Sequence, residues 1–191
     1  MNFGEMQQDI ALLTKRPDKL SEIKIAINDA ILHYTLAASF AADLVEGNIA
    51  INATEFAQNL QISVNFPRFR KLLYLRPPGA KPLAPVDPLK VITDKGCEQL
   101  DKWYRSGDYI YFKLRTLSSS LDYGYYSYPA RYTQTSDTSW MLDTIPHIIR
   151  YRAISEIFDS IGEKDEANKA KTKADEAFII AKNDLAIGAI Y

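Results

Sequence analysis

Cys97 is the only cysteine in the chain, which excludes an intramolecular disulfide and a cysteine zinc site. Histidine is almost as scarce. His33 and His147 lie far apart, each inside a helical pattern, where a structural or surface role outweighs catalysis. No HExxH or DxD pattern occurs, so zinc and magnesium chemistry has no support. Gly47, Gly79, Gly107 and Gly124 are isolated and form no phosphate-cradling run. Asp122 and Asp137 fall in turn and cap positions, which account for them without a catalytic carboxylate pair. No run approaches the ~20 apolar residues of a membrane span. The opening MNFGEMQQDI has acidic and amide residues where a signal peptide needs basic ones, so folding in a reducing cytoplasm is expected. Charge of either sign is not in excess: 23 Lys and Arg face 24 Asp and Glu. That balance argues against a DNA-coating protein and leaves little repulsion to oppose self-association. No enzyme and no cofactor are expected from this inventory.

What the chain does have is length for a core and many tyrosines. At 191 residues it fits one domain and can bury roughly 70% of its unfolded surface. Tyrosine, with 12 residues against 8 Phe and 2 Trp, suits partly buried sites and subunit contacts. Phe3, Met6, Ile10 and Leu13 predict a helix over residues 3–14, ended by Lys15-Arg16-Pro17. Asp18 or Ser21 can cap the next helix. Its stripe is Ile23, Ile27, Ala30, Ile31, Tyr34 and Ala38. Ile25 and Leu32 lie off that stripe, so this helix is expected to be covered on two sides.

After Phe40 the pattern becomes β-rich. Asp43–Asn48 reads as a strand end and turn, and residues 69–76 (FRKLLYLR) as a strand. Five prolines from Pro77 to Pro88 exclude helix or central strand and predict a protruding loop. Val91-Ile92 opens a further strand region. A three-strand meander is expected at 101–105, 109–115 and 123–128, with a hairpin turn at Ser106-Gly107-Asp108. Ser136, Asp137 and Ser139 then offer caps for a short Trp140-Met141-Leu142 helix. Thr144 and Pro146 start another, buried through Ile154, Ile157, Phe158 and Ile161 and stopped by Gly162. The last helix presents Ala167, Ala170, Ala174, Ala177, Phe178, Ala181 and Leu185, small positions that permit close helix approach.

Two surfaces invite a binding role. Arg68, Arg70, Lys71 and Arg76 interleave with Phe69 and Tyr74, a phosphate-contact pattern that is equally the solvated face of a strand. Tyr109 and Tyr111 share a strand face, with Tyr125 placed beside them, as in a sugar-stacking platform. A half-buried pleated sheet explains them as well.

The predicted fold class is α+β. A helical bundle of about four helices, two N-terminal and two C-terminal, carries an inserted antiparallel β-region in one domain. Residues 1–39 and 136–186 are helical, 40–130 β-rich with the proline-rich loop at 77–88, and 187–191 a C-terminal tail.

The order of pieces resembles a family of phage head-to-tail adaptor proteins. Tyr125-Tyr126-Ser127-Tyr128-Pro129, the loop at Thr135–Thr138, Trp140-Met141-Leu142, Pro146–Ala153 and Asp165–Ala181 carry the resemblance. The helix with Ile23–Ala30 and the DLVE and FPRFRKL segments have similar counterparts. The proline loop has none. The resemblance implies a structural virion protein at the head–tail junction, assembled in the host cytoplasm. It implies a homo-oligomeric ring, usually twelvefold, below the portal protein and above a downstream tail or nozzle protein, with transient DNA passage and no membrane. Leu185, Ile187, Ile190 and Tyr191 become portal-interface candidates. Arg68, Arg70, Lys71, Arg76 and Lys81 become DNA-channel candidates. The alternative is a tyrosine-rich glycan- or peptide-binding module.

Overall fold

A computed structural model of the chain describes residues 1–89 and 100–185. The architecture is mixed α+β, with helices and two separate sheets. Contacts divide it into two compact units. One comprises the chain up to Ala42 together with the chain from Pro129 onward, and the other is Asp43–Tyr128.

The helical unit begins with α1, Phe3–Thr14, as its spacing predicts. Its start is fixed by a capping box absent from the sequence reading. The Asn2 side chain accepts the Glu5 N–H at 2.8 Å, and the Glu5 carboxylate accepts the Asn2 N–H at 2.9 Å. Lys15, left-handed at φ 54°, ends it. A 3-10 turn at Pro17–Lys19 leads into α2, Leu20–Ala37. Neither expected residue caps α2. Lys19 holds the cap position without a side-chain bond, Asp18 binds Arg16, and Ser21 donates to Glu22. Residues Trp140–Thr144 form α4, with the Ser139 hydroxyl accepting the Leu142 N–H. (The single turn α3, Ile62–Asn65, belongs to the other unit.) Asp137 instead gathers the N–H groups of Thr133 and Gln134, shaping the preceding loop.

Helix α5, Pro146–Ser160, is central: α1, α2, α4 and α6 (Lys164–Leu185) all pack on it. Pro146 sits in the first turn, where its missing N–H removes no helical bond. Thr144 does not cap α5; Ile145 holds that position without a side-chain bond. The buried face of α5 is Ile148, Ile149, Ala153, Ile154, Ser155 and Ile157, while Phe158 and Ile161 are only half-buried. Gly162 takes φ 83°, and Glu163 N–H returns to the Phe158 carbonyl at 2.9 Å. This left-handed turn satisfies the last carbonyls and reverses the chain. On α6 the expected alanine face is found, with Ala167, Ala170, Ala174 and Phe178 buried. Phe178 meets Tyr34 of α2 with ring centroids 4.4 Å apart.

The second unit holds β1 (Leu44–Ala50), β2 (Ala57–Gln61), the one-turn α3 (Ile62–Asn65) and β3 (Phe69–Arg76). It continues with β4 (Ala84–Pro85), β5 (Lys102–Ser106), β6 (Tyr109–Lys113) and β7 (Ser120–Ser127). One sheet has the order β1-β7-β3 and the other β2-β6-β5-β4. The expected three-strand meander is therefore corrected. Strands β5 and β6 do form a hairpin, but β7 leaves them and pairs antiparallel between β1 and β3. Asp43–Asn48 is also no strand end, since β1 runs straight through Gly47.

Strand β3 departs from simple alternation. Register shifts lie between Phe69 and Lys71 and between Leu72 and Tyr74. Each bulge adds one residue to the solvent side, so the inward set becomes Phe69, Leu72 and Leu75, three apart. The proline segment is not simply a protruding loop. Ala80 N–H closes a turn on Pro77, Leu83 N–H binds Leu75, and Leu83 enters the core at 3% exposure. Ala84 and Pro85 then add a short parallel edge to β5, the sheet position that tolerates proline. The core of this unit gathers Leu60, Ile62, Phe66, Leu72, Leu75 and Tyr125 with the inward residues of β6.

Gly124 of β7 is required by close approach. A Cβ there would lie 2.5 Å from Cε1 of Tyr74, whose ring covers the glycine. Gly124→Ala is expected to displace that ring and break its 2.7 Å hydroxyl bond to Glu46. The cost should be about 1–3 kcal/mol in chemical denaturation; a neutral result would show that the ring moves freely.

Candidate interaction surfaces

Four regions of the described residues carry chemistry or shape. On α2 the buried residues Ile23, Ile27, Ala30, Ile31 and Tyr34 face α5 and its neighbours. Ile25, Leu32 and Leu36 stand on the opposite side, exposed at 49%, 38% and 57%. Their spacing of seven and four residues stacks them on one line of the helix. The sequence had marked Ile25 and Leu32; Leu36 extends the same line and was missed. Helix α2 is thus apolar on two opposite faces, only one of which its own unit covers.

A polar cluster lies where α2, α5 and α6 meet. Burial pushes the Tyr34 hydroxyl above its ordinary range, and Asp175 adds to the rise. Burial lowers His33, assisted by the nearby Arg152 cation. Burial also raises the Glu156 carboxyl, opposed by Arg152, whose Nε lies 3.3 Å away. Tyr34 and Glu156 are set among packed helices while His33 lies beside them on the exposed side of α2, so these shifts are consequences of packing. A raised acid binds its proton more readily in the folded chain. Glu156 therefore favours folding at pH below its ordinary value of 4.5, and that contribution is lost as pH climbs past its raised folded value. Glu156→Gln is expected to flatten the corresponding decline in unfolding free energy; an unchanged pH profile contradicts this assignment.

The basic cluster is divided by the bulges of β3. The Arg76 Nε donates to Asp122 at 3.3 Å, and its guanidinium covers the Tyr74 ring. Asp122 also accepts from Asn48 at 2.9 Å. The Tyr74 phenol is pushed up to about 12, first by burial and then by Glu46. Arg70 lies over Tyr126 with its guanidinium carbon 5.4 Å from the ring centroid. The outer face of β1-β7-β3 is thereby a polar network in which Arg76 and Arg70 are engaged. Arg68, at φ 54°, Lys71 and Lys81 expose their side chains.

The tyrosine platform differs in membership from expectation. Tyr109 and Tyr111 do share a face of β6, with centroids 6.1 Å apart. Tyr125 is not beside them. It is 2% exposed in the core of the other sheet, its hydroxyl bound to the Pro67 carbonyl at 3.0 Å. The neighbour is Tyr104 of β5, stacked on Tyr111 at 5.1 Å and 12°. A hairpin closed by Gly107-Asp108 places these two residues opposite each other, a register readable from the turn length alone.

The portal-interface candidates Ile187, Ile190 and Tyr191, the side chain of Leu185, and Cys97 lie outside the described residues. His33 and His147 are both exposed and belong to different helices. Among the described residues, no group of three His, Cys, Asp or Glu side chains could hold a metal. No helix among them is long and apolar enough to cross a membrane.

A comparison with curated proteins finds no match. The family model described as SU10 adaptor protein matches residues 1–189. With that match spanning nearly the whole sequence, the chain belongs to the SU10 adaptor family, a structural family of phage head-to-tail adaptor proteins.

Proposed function

We propose that this protein forms a ring below the portal vertex and joins the capsid to the tail. The observation that carries the ring is the second apolar line of α2. An apolar line standing open opposite the buried face of a helix marks a contact surface, and a neighbouring copy supplies its cover. Near-zero net charge removes the long-range repulsion that would oppose such packing. In the proposed ring the longer helices stand side by side as a bundle, with twelvefold symmetry as the expected arrangement. The C-terminal stretch with Leu185, Ile187, Ile190 and Tyr191 docks on the portal, because its apolar composition exceeds what a solvated tail needs. The β-unit serves the next tail component.

DNA passes through the lumen in this reading. Arg68, Lys71 and Lys81 suit a transient phosphate contact, whereas Arg76 and Arg70 are held by Asp122 and Tyr126. Three contacts give a shallow salt dependence, with a slope of roughly −0.9 per phosphate neutralised. That is appropriate to DNA that must move. Replacing Arg68, Lys71 and Lys81 together by Ala is expected to reduce DNA retention and its salt slope. An unchanged slope removes them from the lumen.

The portal contact is tested by deleting residues 183–191 and measuring co-sedimentation with purified portal. Loss of portal binding by a shortened chain that still folds supports the docking; undiminished binding places it elsewhere.

A further inference from the structure

The exposed face of the β2-β6-β5-β4 sheet carries a charge arrangement that the described residues of its unit leave uncompensated. Lys102 of β5 and Lys113 of β6 are direct cross-strand partners. They share a face with the neighbouring pair Tyr104 and Tyr111, two residues along each strand. Like charges directly opposite each other destabilise a sheet. No carboxylate among the described residues forms a salt bridge with either lysine. The two cations and the stacked rings border one depression of about 210 Å³, which Ala57, Val86 and Phe112 complete. Its wall is apolar and its charge is of one sign. That combination costs stability in the free chain and is recovered when an anion with an apolar or planar body lies there.

We propose that this depression binds an acidic segment of a partner protein, one carboxylate held between Lys102 and Lys113 and an adjacent side chain packed on Tyr104 and Tyr111. The volume, below the ~300 Å³ at which drug-sized ligand pockets begin, suits a short peptide contact and not a whole small molecule. A nucleic-acid strand fits less well. Sites for single strands track the backbone with successive cations, but the remaining positions on this face, Ala57, Asn59, Gln61, Ser106 and Tyr109, carry none. An acidic sugar shares the carboxylate chemistry. The choice of a protein partner rests on the adaptor reading, in which this unit meets another virion component.

The test uses the full chain and a fluorescein-labelled peptide alternating glutamate with tyrosine, followed by fluorescence anisotropy. Competitors are the same peptide with lysine for glutamate, trigalacturonate and oligothymidylate. The acidic peptide should bind, weaken with salt, and lose roughly tenfold in affinity to a Lys102→Gln, Lys113→Gln variant. Tyr104→Ala should weaken it separately. Because the double variant removes a like-charge pair, its Tm should equal or exceed that of the parent; Lys113→Gln alone serves as a second variant. Failure of the acidic peptide to bind, undiminished binding to the Gln variants, or stronger binding of trigalacturonate or oligothymidylate overturns the proposal. The mass of the protein with portal is measured in parallel. A ring without peptide binding overturns this inference alone, and peptide binding without a ring overturns the adaptor reading alone.

Discussion

Leu32→Glu combined with Leu36→Glu is expected to abolish assembly and leave the chain folded. Both side chains are exposed in the single chain, at 38% and 57%, and neither belongs to the helical core. Substitutions at such positions usually change stability by about 0.5 kcal/mol or less. At an interface between copies the same carboxylates would be buried without partners, and an unpaired buried charge costs several kcal/mol. The variant should therefore keep its helical circular-dichroism signal while its mass falls to that of the 21.6 kDa chain. An assembly of unchanged mass would show that this side of α2 is not an interface. Loss of the helical signal would show that the line serves the chain's own folding.

Phe66→Ala is expected to cost the β-unit ~3–5 kcal/mol, the usual range for removing a buried phenyl ring. Phe66 is 1% exposed. Tyr123 and Tyr125 meet it edge-on, at 5.2 Å and 89° and at 5.4 Å and 75°. Phe69 closes the group at 5.9 Å. Edge-to-face pairs add to the area term, so the loss should exceed that of an isolated aliphatic truncation. Tyr125→Phe is the control. It keeps the ring and deletes one bond to the Pro67 carbonyl, for about 1 kcal/mol. Urea denaturation followed by near-ultraviolet circular dichroism reads both variants. A Phe66→Ala loss near that of the control would contradict the aromatic core described above.

These two sites also mark what the sequence could disclose. Helices α1, α2, α5 and α6 were legible because their apolar residues recur with the helical period, and Gly162 stopped α5 as its left-handed turn requires. The hairpin of β5 and β6 was legible because its turn is local. The switch of β7 into the other sheet was not, since its pairing with β1 and β3 joins residues far apart in the chain. The burial of Phe66, read only as part of FPRFRKL, escaped notice for a similar reason. The residue follows a single helical turn between two strands, where no periodicity signals burial. The bulges of β3 are likewise invisible in a run such as FRKLLYLR, yet they decide which side chains turn inward.

For the candidate surfaces the division is the same. Ile25 and Leu32 declared a second apolar side from spacing alone, and the structure adds Leu36 to it. Tyr109 and Tyr111 were placed together correctly, but Tyr125 was assigned by composition when its sheet was unknown. Arg76 looked like a free cation until β7 brought Asp122 opposite it. Lys102 opposite Lys113 was within reach of the sequence, because a two-residue turn at Gly107-Asp108 sets that register.

The central claim is that this adaptor works as a ring joined to the portal. The most direct measurement is the mass and symmetry of the protein mixed with purified portal in native salt, by electron microscopy with mass photometry. The account predicts a closed ring of many copies seated on the portal. A 21.6 kDa monomer that leaves the portal unoccupied at every concentration would contradict it.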